Sequence, residues 1–281
     1  MPEATPGSVP DFLYIGAPRT GSTWLYLNLQ RHPDVWIPPC KSIIYFHPRF
    51  QRYRLKKLKR FWKEALVSGD RDTRAWYRSF FAKLFVDERW YLSLFPQGRI
   101  TGEIAEAYCS LERYRVQRIH RVMPNVKVIF ALRNPVERAL SQAKLGLVIR
   151  KNRRIDDVSE DEFVAYIDRP GSQARSRYSH TLDIWNAFFP MEQFLILFYD
   201  DLVRNPESYL SNICRFIGVQ LKTDYIGEMM NARVNKSIDK SLPPAVVKHA
   251  ARTYRAEVEE LAARFGGFAR QWQHEVEEIL A

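Results

Sequence analysis

Short apolar runs alternate with longer stretches of helical spacing along most of this chain. Residues 12–16 (FLYIG) are a compact apolar run and predict a buried strand. A helix is expected over 22–31, ending near His32-Pro33. Residues 99–103 (RITGE) predict a short strand, and 111–122 a helix that Pro124-Asn125 turns off. The run VKVIFAL at 126–132 is nearly all apolar and rich in β-branched residues, as suits a strand covered on both faces. Asn134 is placed to cap the next helix, with Pro135 at its first position, and that helix continues past Ser141. FLILFY at 194–199 predicts another buried strand. Residues 206–218 predict a helix with Leu210, Ile213, Cys214 and Ile217 at helical spacing and Gly218 as its stop. The basic stretch 49–68, the aromatic stretch 73–86 and residues 172–189 also read as helical. Two further helices are expected over 244–281, joined at Gly266-Gly267.

This alternation predicts an α/β fold with a central parallel sheet flanked by helices. Ligands of such sheets bind beyond the C-terminal ends of the strands. That puts GAPRTGST (16–23), the Arg133-Asn134-Pro135 that follows VIFAL, and Glu103 at the end of RITGE on one rim. The 281 residues, 46% of them apolar, suffice for a sizeable core and are read as one domain over 1–281. The first ten residues carry three prolines and are expected to be a loose tail.

Charge and composition narrow the picture. The net charge is +11, and the excess gathers at 52–60, 113–121 and 150–154. Such runs attract anions: nucleic acid, phosphorylated cofactors, acidic glycans or acidic carrier proteins. No apolar run approaches the ~18–20 residues of a membrane span, and the N-terminus lacks the basic and apolar regions of a signal peptide. A cytoplasmic protein without a membrane span is therefore expected. Cys40, Cys109 and Cys214 form no C-x-x-C pair and read as reduced thiols, and no metal framework shows in the Cys and His spacing.

The loop GAPRTGST joins a strand to a helix N-terminus, where unpaired N–H groups and a partial positive charge suit an anion. Gly21 permits close backbone approach, Ser22 and Thr23 add hydroxyls, and Arg19 adds a charge. Nucleotide triphosphatases place a lysine where this chain has Ser22. VIFAL runs on to Arg133 rather than to a magnesium-holding Asp, and Asp200-Asp201 are explained by turn and cap roles. The site reads as one for an anionic ligand that reacts without a metal.

That combination resembles the sulfotransferases that use PAPS (3′-phosphoadenosine 5′-phosphosulfate). Their cofactor loop, P-[KR]-[ST]-G-[ST]-[ST], is matched by Pro18, Arg19, Thr20, Gly21, Ser22 and Thr23. Their second motif, L-R-[ND]-P-x-x-R-x-x-S, is matched from Leu132 through Arg133, Asn134, Pro135 and Arg138 to Ser141. Arg177-Tyr178 with Leu182 and Trp185, then FLILFYDDL and the helix ending FIG, continue the likeness. It covers roughly 11–47 and 100–240. The resemblance implies a P-loop-like nucleotide-hydrolase fold of the glycan-type branch. The 18–23 loop would grip the 5′-phosphosulfate, and Arg133 and Ser141 the 3′-phosphate. Trp24, Tyr178 and Arg233 or Lys236 of a closing loop are further cofactor positions. The implied reaction is in-line sulfuryl transfer from PAPS to a hydroxyl or amine, releasing PAP, with positioning and charge stabilisation dominant. Arg19 is expected to stabilise charge and not to donate a proton.

Glycan-sulfating relatives carry K-E-x-[HP]-[YF]-F with the glutamate as base. Here the stretch is Lys41-Ser42-Ile43-Ile44-Tyr45-Phe46, and Ser42 cannot serve. Glu103 and His47 are the two candidate bases; Glu103 is equally readable as a partner of Arg19 or Lys41. Lys41, Tyr45 and Phe46 are candidate acceptor contacts, and 49–98 is read as a helical insertion shaping the acceptor site. The acceptor is expected to be hydroxylated, and an anionic one suits the basic surface: a glycan, a glycolipid or a substrate on an acidic carrier protein; a neutral natural product is the alternative, since some of the charge serves the cofactor. Two other readings stay open. A small-molecule P-loop kinase predicts ATP and magnesium dependence. A nucleic-acid-binding protein predicts salt-dependent binding indifferent to PAP.

Overall fold

The computed structural model describes residues 8–56, 58, 70–230 and 240–281. Five parallel strands form one sheet in the order β2-β3-β1-β4-β5. They are β1 (Phe12–Gly16), β2 (Val35–Trp36), β3 (Ile100–Ile104), β4 (Lys127–Leu132) and β5 (Phe194–Phe198). The expected strands are all present; β2, only two residues long, gave no periodic signal.

Period-2 alternation divides the core between the two faces of the sheet. Leu13, Ile15, Val128, Phe130 and Leu132 point to one side, and Phe12, Tyr14, Ile129 and Ala131 to the other. Helix α1 (Ser22–Leu29) belongs to the second side. On the first side, α2 (Arg71–Phe81) and α3 (Glu88–Leu92) contribute Trp76, Tyr77, Phe80, Trp90 and Tyr91. Of Trp62, Trp76, Tyr77, Trp90 and Tyr91, which the sequence leaves readable as an acceptor wall or, more often at such density, as core, the last four are core; Trp62 lies outside the described residues. Residues 50–56 are helical, and most of the rest of the basic stretch is likewise outside the described residues.

Helix α4 (Arg113–Val122) precedes β4, and α5 (Pro135–Lys144) follows it. Asn134 caps α5 as expected, its side chain accepting from Val136 N. A π-turn, Leu145–Ile149, prolongs this helix, and α6 (Glu160–Ile167) opens with a Ser159–Glu162 capping box. The single helix expected over 172–189 is instead two: α7 (Pro170–Ala174) and α8 (Tyr178–Asn186). The buried Arg138 guanidinium explains the break, since it takes the Ser172 carbonyl at 3.1 Å and the Ser176 hydroxyl at 2.6 Å. Helices α9 (Tyr199–Arg204) and α10 (Pro206–Ile217) follow β5, with Gly218 left-handed at the end of α10. After a short α11 (Thr223–Ile226), α12 (Pro244–Phe265) and α13 (Gly267–Leu280) pack onto the first side. No described helix is long and apolar enough to cross a membrane.

Candidate active site

The C-terminal ends of β1, β3 and β4 bring three loops together. The loop after β1 turns through two left-handed residues, Arg19 (φ 74°) and Gly21 (φ 81°). A Cβ at position 21 would lie 2.3 Å from Leu202 Cδ2 and would have to displace that side chain, and the left-handed conformation itself favours glycine. Thr20 is buried, with its hydroxyl 2.6 Å from Tyr14 OH. Its side chain therefore fastens the loop to β1, and of Thr20 only the backbone is left for a ligand. No side chain caps α1, so the first-turn N–H groups of this helix remain available to an anion.

On one flank of the loop, Arg19 Nε donates to Ser141 Oγ at 2.9 Å, and Arg133 Nη1 donates to the Arg19 carbonyl at 3.3 Å. The rest of the Arg133 guanidinium holds Glu137 Oε2 at 3.0 and 3.1 Å and stacks on Tyr199, 4.7 Å from its centroid. Burial, and then the charge of Arg133, pull the Arg19 pKa below its usual value. Two guanidinium groups crowded in this way favour an anion between them. Arg19, Arg133 and Ser141 are thus assembled from two distant motifs.

On the other flank stands an arrangement that spacing did not reveal. Lys41 Nζ donates to Ser22 Oγ (2.9 Å), Thr23 Oγ1 (3.0 Å) and Glu106 Oε2 (2.7 Å), and Ser22 Oγ donates to the same carboxylate oxygen at 2.6 Å. The ammonium missing from the loop at position 22 is supplied from Lys41. Burial opposes ionisation of Glu106, but the Lys41 charge and the hydrogen bonds from Lys41 and Ser22 outweigh it, and its pKa is held below the usual carboxylate value.

Glu103, expected as a base or as a partner of Arg19 or Lys41, is held away from the loop. It is fully buried, accepting from Ile44 N at 2.7 Å and Tyr91 OH at 2.8 Å, with Tyr108 OH at 3.4 Å. Burial raises its pKa against those bonds. Its carboxylate ties the 41–47 segment to the sheet and touches neither Arg19 nor Lys41. Glu106, three residues on and past the strand end, reaches the loop in its place. Ser42 turns away, donating to the Ile104 carbonyl at 2.9 Å.

His47 lies beside the same segment, with Nδ1 accepting from Arg49 N at 3.1 Å. Burial, then the charges of Arg175, Arg49 and Arg115, lower its pKa to about 4. Tyr45 and Phe46, expected at the acceptor, are instead buried against Tyr91; Tyr45 stacks on it at 5.2 Å and accepts from Arg118 Nη2 at 2.8 Å. Trp24 is buried and donates to the Met230 carbonyl at 3.0 Å. Tyr178 is buried edge-on to Phe130 with its hydroxyl unpartnered among the described residues. Neither side chain is hydrogen-bonded to the loop among the described residues. Pro18 is buried in the turn. Arg233 and Lys236 lie outside the described residues.

A model of the sulfotransferase family matches residues 10–223. The human heparan sulfate glucosamine 3-O-sulfotransferase 6 is 30% identical over 138 residues, 47% of this chain and 40% of that protein. The chain thus matches well under half the length of that curated relative. A sulfotransferase structure from Alicyclobacillus acidocaldarius superposes with a TM-score of 0.64 at 23% identity, covering 95% of this chain and 99% of that one. A mouse sulfotransferase solved with PAP, SULT7A1, gives 0.52 at 12% identity, covering 97% and 90%. These two likenesses establish the fold. With the family match extending over most of its length, the chain belongs to the sulfotransferase family.

Proposed function

We propose that this protein transfers a sulfuryl group from PAPS to a hydroxyl or amine of an acceptor, leaving PAP. The observation that carries the reading is the two-flanked loop: Arg19, Arg133 and Ser141 on one side, Lys41 with Glu106 on the other. The donor set fits the cofactor, because an uncapped helix N-terminus and three cations converge where two anionic groups need places.

PAPS, when bound, supplies the sulfuryl group. Arg133 and Ser141 would hold its 3′-phosphate, and the α1 N–H groups with Ser22, Thr23 and Lys41 its 5′-end. For Arg133 this means exchanging the exposed Glu137 carboxylate for a phosphate, a stronger charge-assisted partner. Lys41 shields Glu106 while the two are paired. An anion that draws the ammonium away raises the basicity of Glu106 Oε2 and frees it to take the acceptor proton. Arg19 and Lys41 then oppose the negative charge that grows on the leaving oxygen.

The test is calorimetric titration, without metal, against PAP, ADP and ATP. Tight PAP binding with little response to ADP supports the reading. One observation favours a second reading, a P-loop kinase: a carboxylate, a loop hydroxyl and an ammonium meet at Glu106, Ser22 and Lys41. Preference for ATP that appears only with magnesium would decide for the kinase.

We further infer that 1–281 acts as one domain, supported by a core shared between β1, β4, α12 and α13. A cytoplasmic location is supported by three buried cysteines that are not joined in disulfides and is tested by cell fractionation.

A further inference from the structure

One guanidinium near the site has no partner among the described residues. Arg138, fully buried, grips the Ser172 carbonyl and the Ser176 hydroxyl, and Ser176 Oγ lies 3.5 Å from the Pro135 carbonyl. The turn between α7 and α8 is thereby fixed to α5, the helix that carries Ser141. Arg175 is presented on this turn. It is half-buried, and its side chain makes no hydrogen bond, ion pair or ring contact among the described residues. Just after it, at the start of α8, the Thr181 hydroxyl donates to the Cys109 carbonyl at 2.6 Å, which sets this turn against the segment that carries Glu106. The Arg175 charge works to lower the pKa values of His47, Glu106 and Cys109, although burial leaves that of Cys109 raised, to about 12. The nearby carboxylate cannot neutralise it, since Lys41 and Ser22 already hold Glu106.

A second cation stands close by. Arg115 Nη1 donates to the Phe46 carbonyl at 3.1 Å, beside His47, while its Nε is buried without a hydrogen-bond partner among the described residues. Arg115, Arg175 and Arg49 all bear on His47. Like charges gathered around one point repel, and half-buried guanidinium groups are poorly screened by solvent. An oxyanion would relieve both penalties, and an arginine fork matches it bidentately.

We propose that Arg175, with Arg115, binds a carboxylate or sulfate-ester group of the acceptor and so selects anionic acceptors. The proposal rests on the reading that the acceptor is deprotonated on the Glu106 side of the loop.

The experiment titrates three probes, D-glucuronate, D-glucose 6-sulfate and neutral methyl glucoside, into the free protein and its PAP complex. Calorimetry and the NMR signals of the His47 ring report binding. At least one anionic probe is expected to bind at least tenfold more tightly than methyl glucoside and to shift the His47 ring. The preferred anion distinguishes a carboxylate from a sulfate ester. Arg175→Gln should abolish the preference, Arg175→Lys should keep part of it, and Arg115→Gln should reduce it several-fold. PAP affinity should stay within twofold in all three. Equal binding of charged and neutral probes, or an undiminished preference in Arg175→Gln, would overturn the proposal. Failure of PAP to bind would count against the activity instead, and the free-protein arm still tests Arg175.

Discussion

Replacing Glu106 with Gln separates proton acceptance from architecture. The amide is isosteric, and its carbonyl can still accept from Lys41 or Ser22, now at 2.7 and 2.6 Å from the carboxylate oxygen. What is lost is the proton acceptor and one charge. General-base catalysis typically contributes about 10²–10⁴-fold, so kcat should fall by about that factor with little change in thermal stability. The charge has a second effect. Lys41 and Glu106 are 23% and 33% exposed, so their pairing is close to a surface ion pair, worth roughly 0.2–1 kcal/mol. Freed of that pair, Lys41 should bind PAP about 1.4- to 5-fold more tightly. Calorimetry with PAP and initial rates with PAPS and a working acceptor measure both effects. The Glu106 pKa is depressed, so the basic form persists above the lowered value and is lost only as pH falls through it. The acid limb of kcat/KM for PAPS, which reports the free protein with Lys41 still paired to Glu106, should therefore lie below the ordinary glutamate value of about 4.3. His47, at about 4, would give a similar limb, so substitution and not pH must separate the two. Near-normal turnover in Glu106→Gln, with a large loss in His47→Gln, would refute the assignment. PAP binding weakened tenfold would mean that Glu106 serves the cofactor loop.

Other substitutions probe the frame around this pair. Arg133→Ala should weaken PAP binding by more than tenfold, through loss of a charge-assisted contact; unchanged affinity in calorimetry would remove Arg133 from the 3′-phosphate. Gly21→Ala meets Leu202 at 2.3 Å in a left-handed conformation; it should lose about 1–3 kcal/mol of stability, and an unchanged melting temperature would contradict the loop geometry. Glu103 has a raised pKa, so the folded protein holds that proton more tightly than the unfolded chain does. Its contribution to stability is complete below the ordinary carboxyl value and fades as pH rises through the folded one. Glu103→Gln should therefore gain on wild type in urea midpoint from pH 5 to pH 8; parallel curves would show that Glu103 does not titrate differently on folding.

Much of the site was legible because its chemistry is local. A Gly in a left-handed turn, a Pro after an N-cap Asn, and an Arg one residue past the end of a buried strand each follow from neighbours in the chain, and the structure gathers Arg19, Arg133 and Ser141 as those signals imply. The α6 capping box, Ser159 with Glu162, is equally local, because S-x-x-E carries it within four residues. The split between α7 and α8 was not local, because it depends on Arg138 arriving from another helix.

Glu103 and Glu106 show where local reading stops. Both sit near the end of one strand, and spacing ranks neither above the other. The choice is made by the 41–47 segment folding across β3, which spends Glu103 on Ile44 N and two tyrosines, and delivers Lys41 to Ser22 and Glu106. The same packing drew Tyr45 and Phe46 into the core and set Arg175 and Arg115 around His47. Sequence alone determined the strands, their following helices and the anion-binding loop, because hydrophobic period and turn chemistry act over a few residues. Tertiary structure decided which carboxylate meets which cation, because burial and charge pairing depend on contacts between segments far apart in the chain.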